Sequence, residues 1–170
     1  AAHRRLLESV PDALLVLVPR HPERFPAVAE LIAAQGLDWV SRTSDARCAP
    51  ETRVFLGDTM GELPLFYAAS QVAFVAGSLV PIGGHNLLEP ASLGLPILTG
   101  PHLFNAEDIA AMFAERGASR VVTDEGELAA ALEWLLADEA ARSDMGERAR
   151  RLLLDNRGAL RRLLELVEPL

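Results

Sequence analysis

The 170-residue chain contains no lysine; all 16 of its basic residues are Arg, which reads as genome composition rather than function. Against 24 acidic residues this leaves a net charge of −8, so the chain lacks the excess of positive charge that general nucleic-acid binding needs. Cysteine is nearly absent. The single Cys48 excludes an internal disulfide and offers no zinc pattern, and its neighbours Ala46, Arg47, Ala49 and Pro50 read as a loop without a motif that would make it a catalytic thiol. No apolar run approaches the roughly 20 residues that cross a bilayer, and no signal peptide opens the chain. Three chemical signatures are also missing: the Gly-x-x-x-x-Gly-Lys-Ser/Thr loop of NTPases, a Gly-x-Gly-x-x-Gly after a strand, and the Gly-x-Ser-x-Gly elbow of hydrolases. The first residue is Ala rather than Met, so the chain reads as a piece of a longer one.

What is present is apolar, 50% of the residues, enough for a substantial core in one domain. Leu6, Leu7 and Val10 stand at helical spacing from His3 to Val10, and Pro11 ends the pattern. Ala13 to Val18 is a continuous apolar run of strand length, expected to be buried on both faces as in a parallel sheet covered by helices. A helix from Pro26 stops at Gly36, a short strand lies around Leu37 to Ser41, and Arg42 to Glu51 reads as a loop. The strand Arg53 to Leu56 precedes a helix at about Leu63 to Ala69, where Pro64 is tolerated in the first turn. Further strands are expected at Val72 to Ala76, Pro96 to Thr99 and Arg120 to Val122, with helices at Leu87 to Leu93 and from a cap at Asn105 to Arg116. Asp124 and Glu127 predict a capping box for a helix to about Ala137, and the tail from Glu139 is helical with breaks near Asn156, Arg157 and Gly158. This alternation means a doubly wound, Rossmann-like parallel α/β sheet, taken as a single domain over residues 1–170.

In such sheets ligands sit beyond the carboxyl ends of strands. Three loops there are rich in glycine and polar residues: Pro19 to Arg24, Gly57 to Glu62 and Gly77 to Glu89. The last lies between a strand and a helix start, where backbone N–H groups and the helix dipole suit an anion. Gly83 and Gly84 allow positive φ and a close backbone approach, or they simply make a turn. Asn86 and Glu89, three apart, face a ligand together or form a capping box; Pro90 would then leave the Asn86 carbonyl without its helical partner. A carboxylate repels phosphate, so Glu89 suits the hydroxyls of a ribose. Arg20 reads as a ligand for an anion or base, or as a surface partner of Glu23. Asp58 reads as an N-cap, and Met60 as either core or a flat wall for a base. His85 and His102 lack a third metal ligand at sensible spacing.

Gly57-Asp58-Thr59-Met60-Gly61-Glu62-Leu63 and the run from Phe74 through Gly77-Ser78-Leu79-Val80-Pro81-Ile82-Gly83-Gly84-His85-Asn86 to Pro90 closely resemble the 3-deoxy-D-manno-octulosonic acid (Kdo) transferases of lipopolysaccharide synthesis. Val18 to Phe25 and Gly100 to Asn105 agree as well. The resemblance implies the C-terminal, donor-binding half of a two-domain GT-B glycosyltransferase. Its donor would be CMP-Kdo, and its acceptor the lipid A precursor, reached without a metal or other cofactor. Pro19, Arg20 and His21 would meet the cytidine; Met60, Gly61 and Glu62 would line the nucleotide site. Ser78, Gly83, Gly84, Asn86, Leu87, Leu88 and Glu89 would hold ribose and phosphate, with Glu89 on the hydroxyls. No catalytic residue is expected in this chain, since the family carries it in an N-terminal domain behind a membrane anchor at the cytoplasmic face of the inner membrane. The fragment alone is expected to be soluble and inactive, and its sheet to lack a central first strand. Relatives often have Pro where Leu87 stands, which predicts a slightly less rigid turn. Two other readings stay open, a nucleotide-binding module without transfer activity and a GT-B enzyme for UDP-sugars.

Overall fold

The computed structural model describes residues 1–81, 83, 84, 86–103 and 107–167, with side chains described to residue 156. The expected cap Asn105, and His85, lie outside the described residues. Two compact units divide the chain, Ala1–Ser70 and Gln71–Leu170.

The first unit runs α1 (Ala2–Ser9), β1 (Leu15–Leu17), α2 (Phe25–Ala34), β2 (Trp39–Ser41), β3 (Val54–Leu56) and α3 (Leu63–Ala68), with 3₁₀ turns at Pro22–Arg24 and Arg42–Ser44. Its three strands are parallel in the order β1-β3-β2, with Leu15 and Trp39 both opposite Val54. Only the middle strand is shut away: Val54 and Leu56 pack with Ile32 of α2 in the core. Burial of β1 on both faces is therefore corrected. Its residues are half-buried and the preceding Leu14 is 44% exposed, because β1 is an edge strand of this sheet.

The second unit runs β4 (Ala73–Val75), α4 (Leu88–Ser92), β5 (Ile97–Thr99), α5 (Glu107–Glu115), β6 (Ser119–Val121), α6 (Glu125–Ala137) and α7 (Glu139–Val167). Its sheet is again parallel, in the order β4-β5-β6, and the central β5 is buried throughout. Val75, Ile97, Leu103 and Phe113 form the core with Leu87 and Ala91 from around α4 and Ala149 and Leu152 from α7. As expected of a sheet without its first strand, β1 and β4 are not paired: among the described residues the strands form two three-stranded sheets, with β1 at an edge of the first and β4 at an edge of the second.

The caps explain the element ends. Gly94 (φ 69) ends α4 in a Schellman motif, with its N–H on Ala91 O and Leu95 N–H on Pro90 O. Asp124 caps α6 by accepting from the N–H groups of Gly126 and Glu127, while Glu127 reaches back to Thr123. The expected break in the tail is absent: α7 runs unbroken through Asn156, Arg157 and Gly158. One interior glycine costs about 1 kcal/mol of helix propensity, which the Leu- and Arg-rich turns on both sides offset. Asn156 turns its amide back onto Leu152 O at 2.8 Å, one turn behind it, so the side chain is satisfied with the backbone still helical. No helix among the described residues is long and apolar enough to cross a membrane.

Candidate functional site

In the second unit, Gly77 to Glu89 is stitched to the segment after β5. Ser78 is fully buried; its hydroxyl donates to Val75 O (2.5 Å) and accepts from Gly100 N–H (2.6 Å). Ser78 O accepts from His102 N–H, and His102 O accepts from Gly84 N–H, each at 2.9 Å. Gly100 must be glycine because a Cβ would strike the Ser78 carbonyl, and at Gly84 a Cβ would strike Leu103. The Ser78 side chain is occupied within the core, Gly84 N–H is bonded inside the protein, and the Leu87 side chain is 1% exposed among core residues. Gly83 does take positive φ (92°), whereas Gly84 does not.

Beyond this knot the chain turns into α4, which begins one residue later than a cap at Asn86 would require. Leu87 is the N-cap, and its carbonyl accepts from Ala91 N–H. Pro90 then falls in the first turn, where a helix needs no N–H, so no carbonyl is left waiting for it. Asn86 Oδ1 accepts from Leu88 N–H at 2.9 Å, and its Nδ2 lies 3.4 Å from Glu89 Oε1. Both side chains are exposed. They join Ser92 and Asn156 as the polar lining of a cavity of about 550 Å³ whose remaining walls are Leu88, Ile109, Met112, Phe113 and Leu153. Among the described residues no basic side chain lines it. With five residues α4 carries little macrodipole, so the site favours hydroxyl-bearing and apolar ligand surface over bare charge.

In the first unit, Gly57 N–H donates to Leu17 O at 2.9 Å, and a Cβ there would press on the Phe66 ring, which fixes where the Gly57 to Glu62 loop leaves the sheet. Met60 is 62% exposed and Gly61 has φ 82°. Asp58 is not the N-cap of α3; that position is Glu62. Both carboxylates are held by neighbouring side chains. Thr43 gives Asp58 its N–H (3.0 Å) and its hydroxyl (2.5 Å). Glu62 accepts from Thr59 Oγ1 (2.5 Å) and from Arg42 (3.2 Å). The Thr59 and Arg42 bonds hold the Glu62 carboxyl below its ordinary value. Partial burial pushes the Asp58 carboxyl up, but the Thr43 bonds outweigh it and the net direction is down. Glu62 thus braces its loop. Pro19 is half-buried, Arg20 and His21 are exposed, and His21 Nδ1 stands 3.9 Å from Glu23 Oε1. Arg42 and Thr43 were missed in the sequence because they lie in a stretch with no motif. Among the described residues no three His, Cys, Asp or Glu side chains gather as a metal site.

The family described as "Glycosyl transferases group 1" matches residues 4–152. The chain belongs to this family. Among curated relatives of this glycosyl transferase chain, the 3-deoxy-D-manno-octulosonic acid transferase of Haemophilus influenzae is 44% identical over 99% of the chain, and that of Bordetella pertussis 40% identical over 98%. The chain spans 40% and 39% of the length of those two proteins. Among solved structures, the C-terminal CMP-Kdo binding domain of WaaA from Acinetobacter baumannii is similar with a TM-score of 0.84 and 37% identity, covering 89% of this chain and 79% of that one. The transferase fold is thus that of the C-terminal half of GT-B enzymes.

Proposed function

We propose that this chain is the donor-binding domain, residues 1–170, of a transferase that moves Kdo from CMP-Kdo to the lipid A precursor in lipopolysaccharide synthesis. The observation that carries the reading is the 37% identity and 0.84 TM-score to a domain described as CMP-Kdo binding. The chemistry of the loops supports it. Glu89 lies beside the amide of Asn86 on an exposed rim, where a carboxylate can accept from the two hydroxyls of a ribose. The Met60 side chain offers a polarizable apolar surface for a pyrimidine. Pro19, Arg20 and His21 are assigned to the cytidine, and Gly83 with the backbone around Asn86 to Leu88 to the phosphate. A monophosphate needs one compact grip, and no metal or cofactor is given a role. The group that catalyses transfer, the lipid A contacts and the attachment to the inner membrane are assigned to the parent protein outside these residues.

Calorimetric titration of the chain with CMP, UMP, UDP and UDP-GlcNAc tests the reading. CMP is expected to bind best, with an isotherm unchanged by EDTA. Tighter binding of the diphosphates would overturn the reading in favour of a UDP-sugar enzyme.

A further inference from the structure

The tip of the Gly57 to Glu62 loop has no packing of its own to shape it. Met60 is largely exposed, and a Cβ added at Gly61 would find nothing within 4 Å. Its form is set at its two ends, and both ends are tied to one short turn after β2. That turn is itself closed by local bonds: Ser41 Oγ accepts from Ser44 N–H at 3.2 Å, Ser44 Oγ donates to Ser41 O at 2.7 Å, and Asp45 adopts φ 52°. From it, Thr43 grips Asp58 at the start of the tip and Arg42 grips Glu62 at its end.

The Arg42 guanidinium is engaged at every nitrogen. Nε lies 3.2 Å from Glu62 Oε2, Nη2 3.2 Å from Glu62 Oε1, and Nη1 3.4 Å from Asp45 Oδ1. The guanidinium thus meets one carboxylate at two nitrogens, a hydrogen bond from Nη2 and an ionic contact at Nε, which constrains orientation more than a single ammonium can. The Thr59 hydroxyl completes the grip by donating to Glu62 from within the loop.

We infer that Arg42 is a positioning residue for nucleotide binding: through Glu62 it holds the Met60–Gly61 tip in the shape the base meets, without contacting the nucleotide. The inference rests on the CMP reading above, and two measurements separate the failure of one from the failure of the other. The first is CMP titration of the chain and of Arg42→Gln, Arg42→Lys, Glu62→Gln and the double variant Arg42→Gln/Glu62→Gln. Residues acting through one contact are non-additive, so each Gln variant should weaken CMP by about tenfold and the double variant no further. Arg42→Lys, keeping charge but not the two-pronged bond, should recover only part of the affinity. The second is amide exchange at Thr59, Met60 and Gly61 in the free chain, read by NMR; it should quicken in Arg42→Gln while the exchange of β3 amides stays as in the unsubstituted chain. Unchanged CMP affinity in Arg42→Gln overturns the inference, and so do losses that add in the double variant, since those would mean direct contact. If the unsubstituted chain binds no CMP, the donor reading fails. Exchange then decides alone: quickened tip amides support the brace, and unchanged ones overturn it.

Discussion

Gly57 to Glu62 and Gly77 to Glu89 each leave a parallel strand and enter a short helix with a proline in its first turn, yet opposite chemistry holds them. The first is braced from outside by ions. Arg42 and Glu62 are both partly open to water, and Thr43 and Asp58 sit nearby. The second is braced from inside by neutral groups, the buried Ser78 hydroxyl and the N–H and C=O groups of Gly84, Gly100 and His102. An exposed ion pair contributes about 0–1 kcal/mol, whereas an orphaned buried donor or acceptor costs about 1–3 kcal/mol. The first loop can therefore lose its shape with little loss of stability. The second cannot lose its shape without loss of stability.

Substitutions should separate the two. The largest effect is expected at Gly100→Ala, where the new methyl meets the Ser78 carbonyl and the Leu79 nitrogen, backbone atoms that cannot swing aside. A cost of about 3 kcal/mol, at the upper end for overpacking, should appear as a lower urea midpoint. A midpoint equal to that of the unsubstituted chain would break the comparison, since the second loop would then not be sutured to the segment after β5. Next comes Ser78→Ala, which leaves Gly100 N–H and Val75 O without the hydroxyl between them. The expected loss is about 1–3 kcal/mol on the same urea curve.

The smallest effect is a difference in acid response. The carboxyls of Glu62 and Asp58 are both held below their ordinary values, 4.5 and 3.8. A depressed carboxylate stabilises the fold above its unfolded value, and that contribution is lost as pH falls through the folded one. The brace of the first loop should therefore loosen progressively below about pH 4.5, whereas the Ser78 knot is held by a hydroxyl and backbone groups rather than by carboxylates. His3, bonded to Arg53 O at 2.8 Å, adds an earlier phase in the first unit. Burial lowers its pKa from 6.5, so the unfolded chain takes up the proton first and stability falls as pH drops below that value. Amide shifts followed from pH 7 to 3 should move at Thr43, Met60 and Gly61 before Gly84 and Gly100. Simultaneous movement would mean that the ionic brace does not set the first loop apart.

Periodicity and punctuation made most of the fold legible. The sequence pattern located the six strands seen among the described residues, and Gly94 and Gly117 marked the ends of α4 and α5 where the chain takes positive φ. What stayed hidden depended on partners distant in sequence. Gly84 is glycine because Leu103 lies against it, nineteen residues along. Ser78 was expected among the nucleotide-binding residues, and nothing beside it in the sequence announces its bond to Gly100, twenty-two residues along. The ion pair of Glu62 with Arg42 was hidden because nothing near Glu62 in the sequence announces its partner. The half-burial of β1 was equally invisible, since an apolar run does not say whether its strand has one neighbour or two. The motif therefore singled out the loops, while the internal bonds that hold each one came only with the fold.

The central claim is that Glu89 grips the ribose of a CMP donor. Its most direct test is the CMP isotherm of the chain beside that of Glu89→Ala. Hydrogen bonds to a charged group are worth about 1.5–3 kcal/mol, so the account predicts clear binding that weakens by about tenfold or more on removal of the carboxylate. An isotherm that Glu89→Ala leaves unchanged would contradict it.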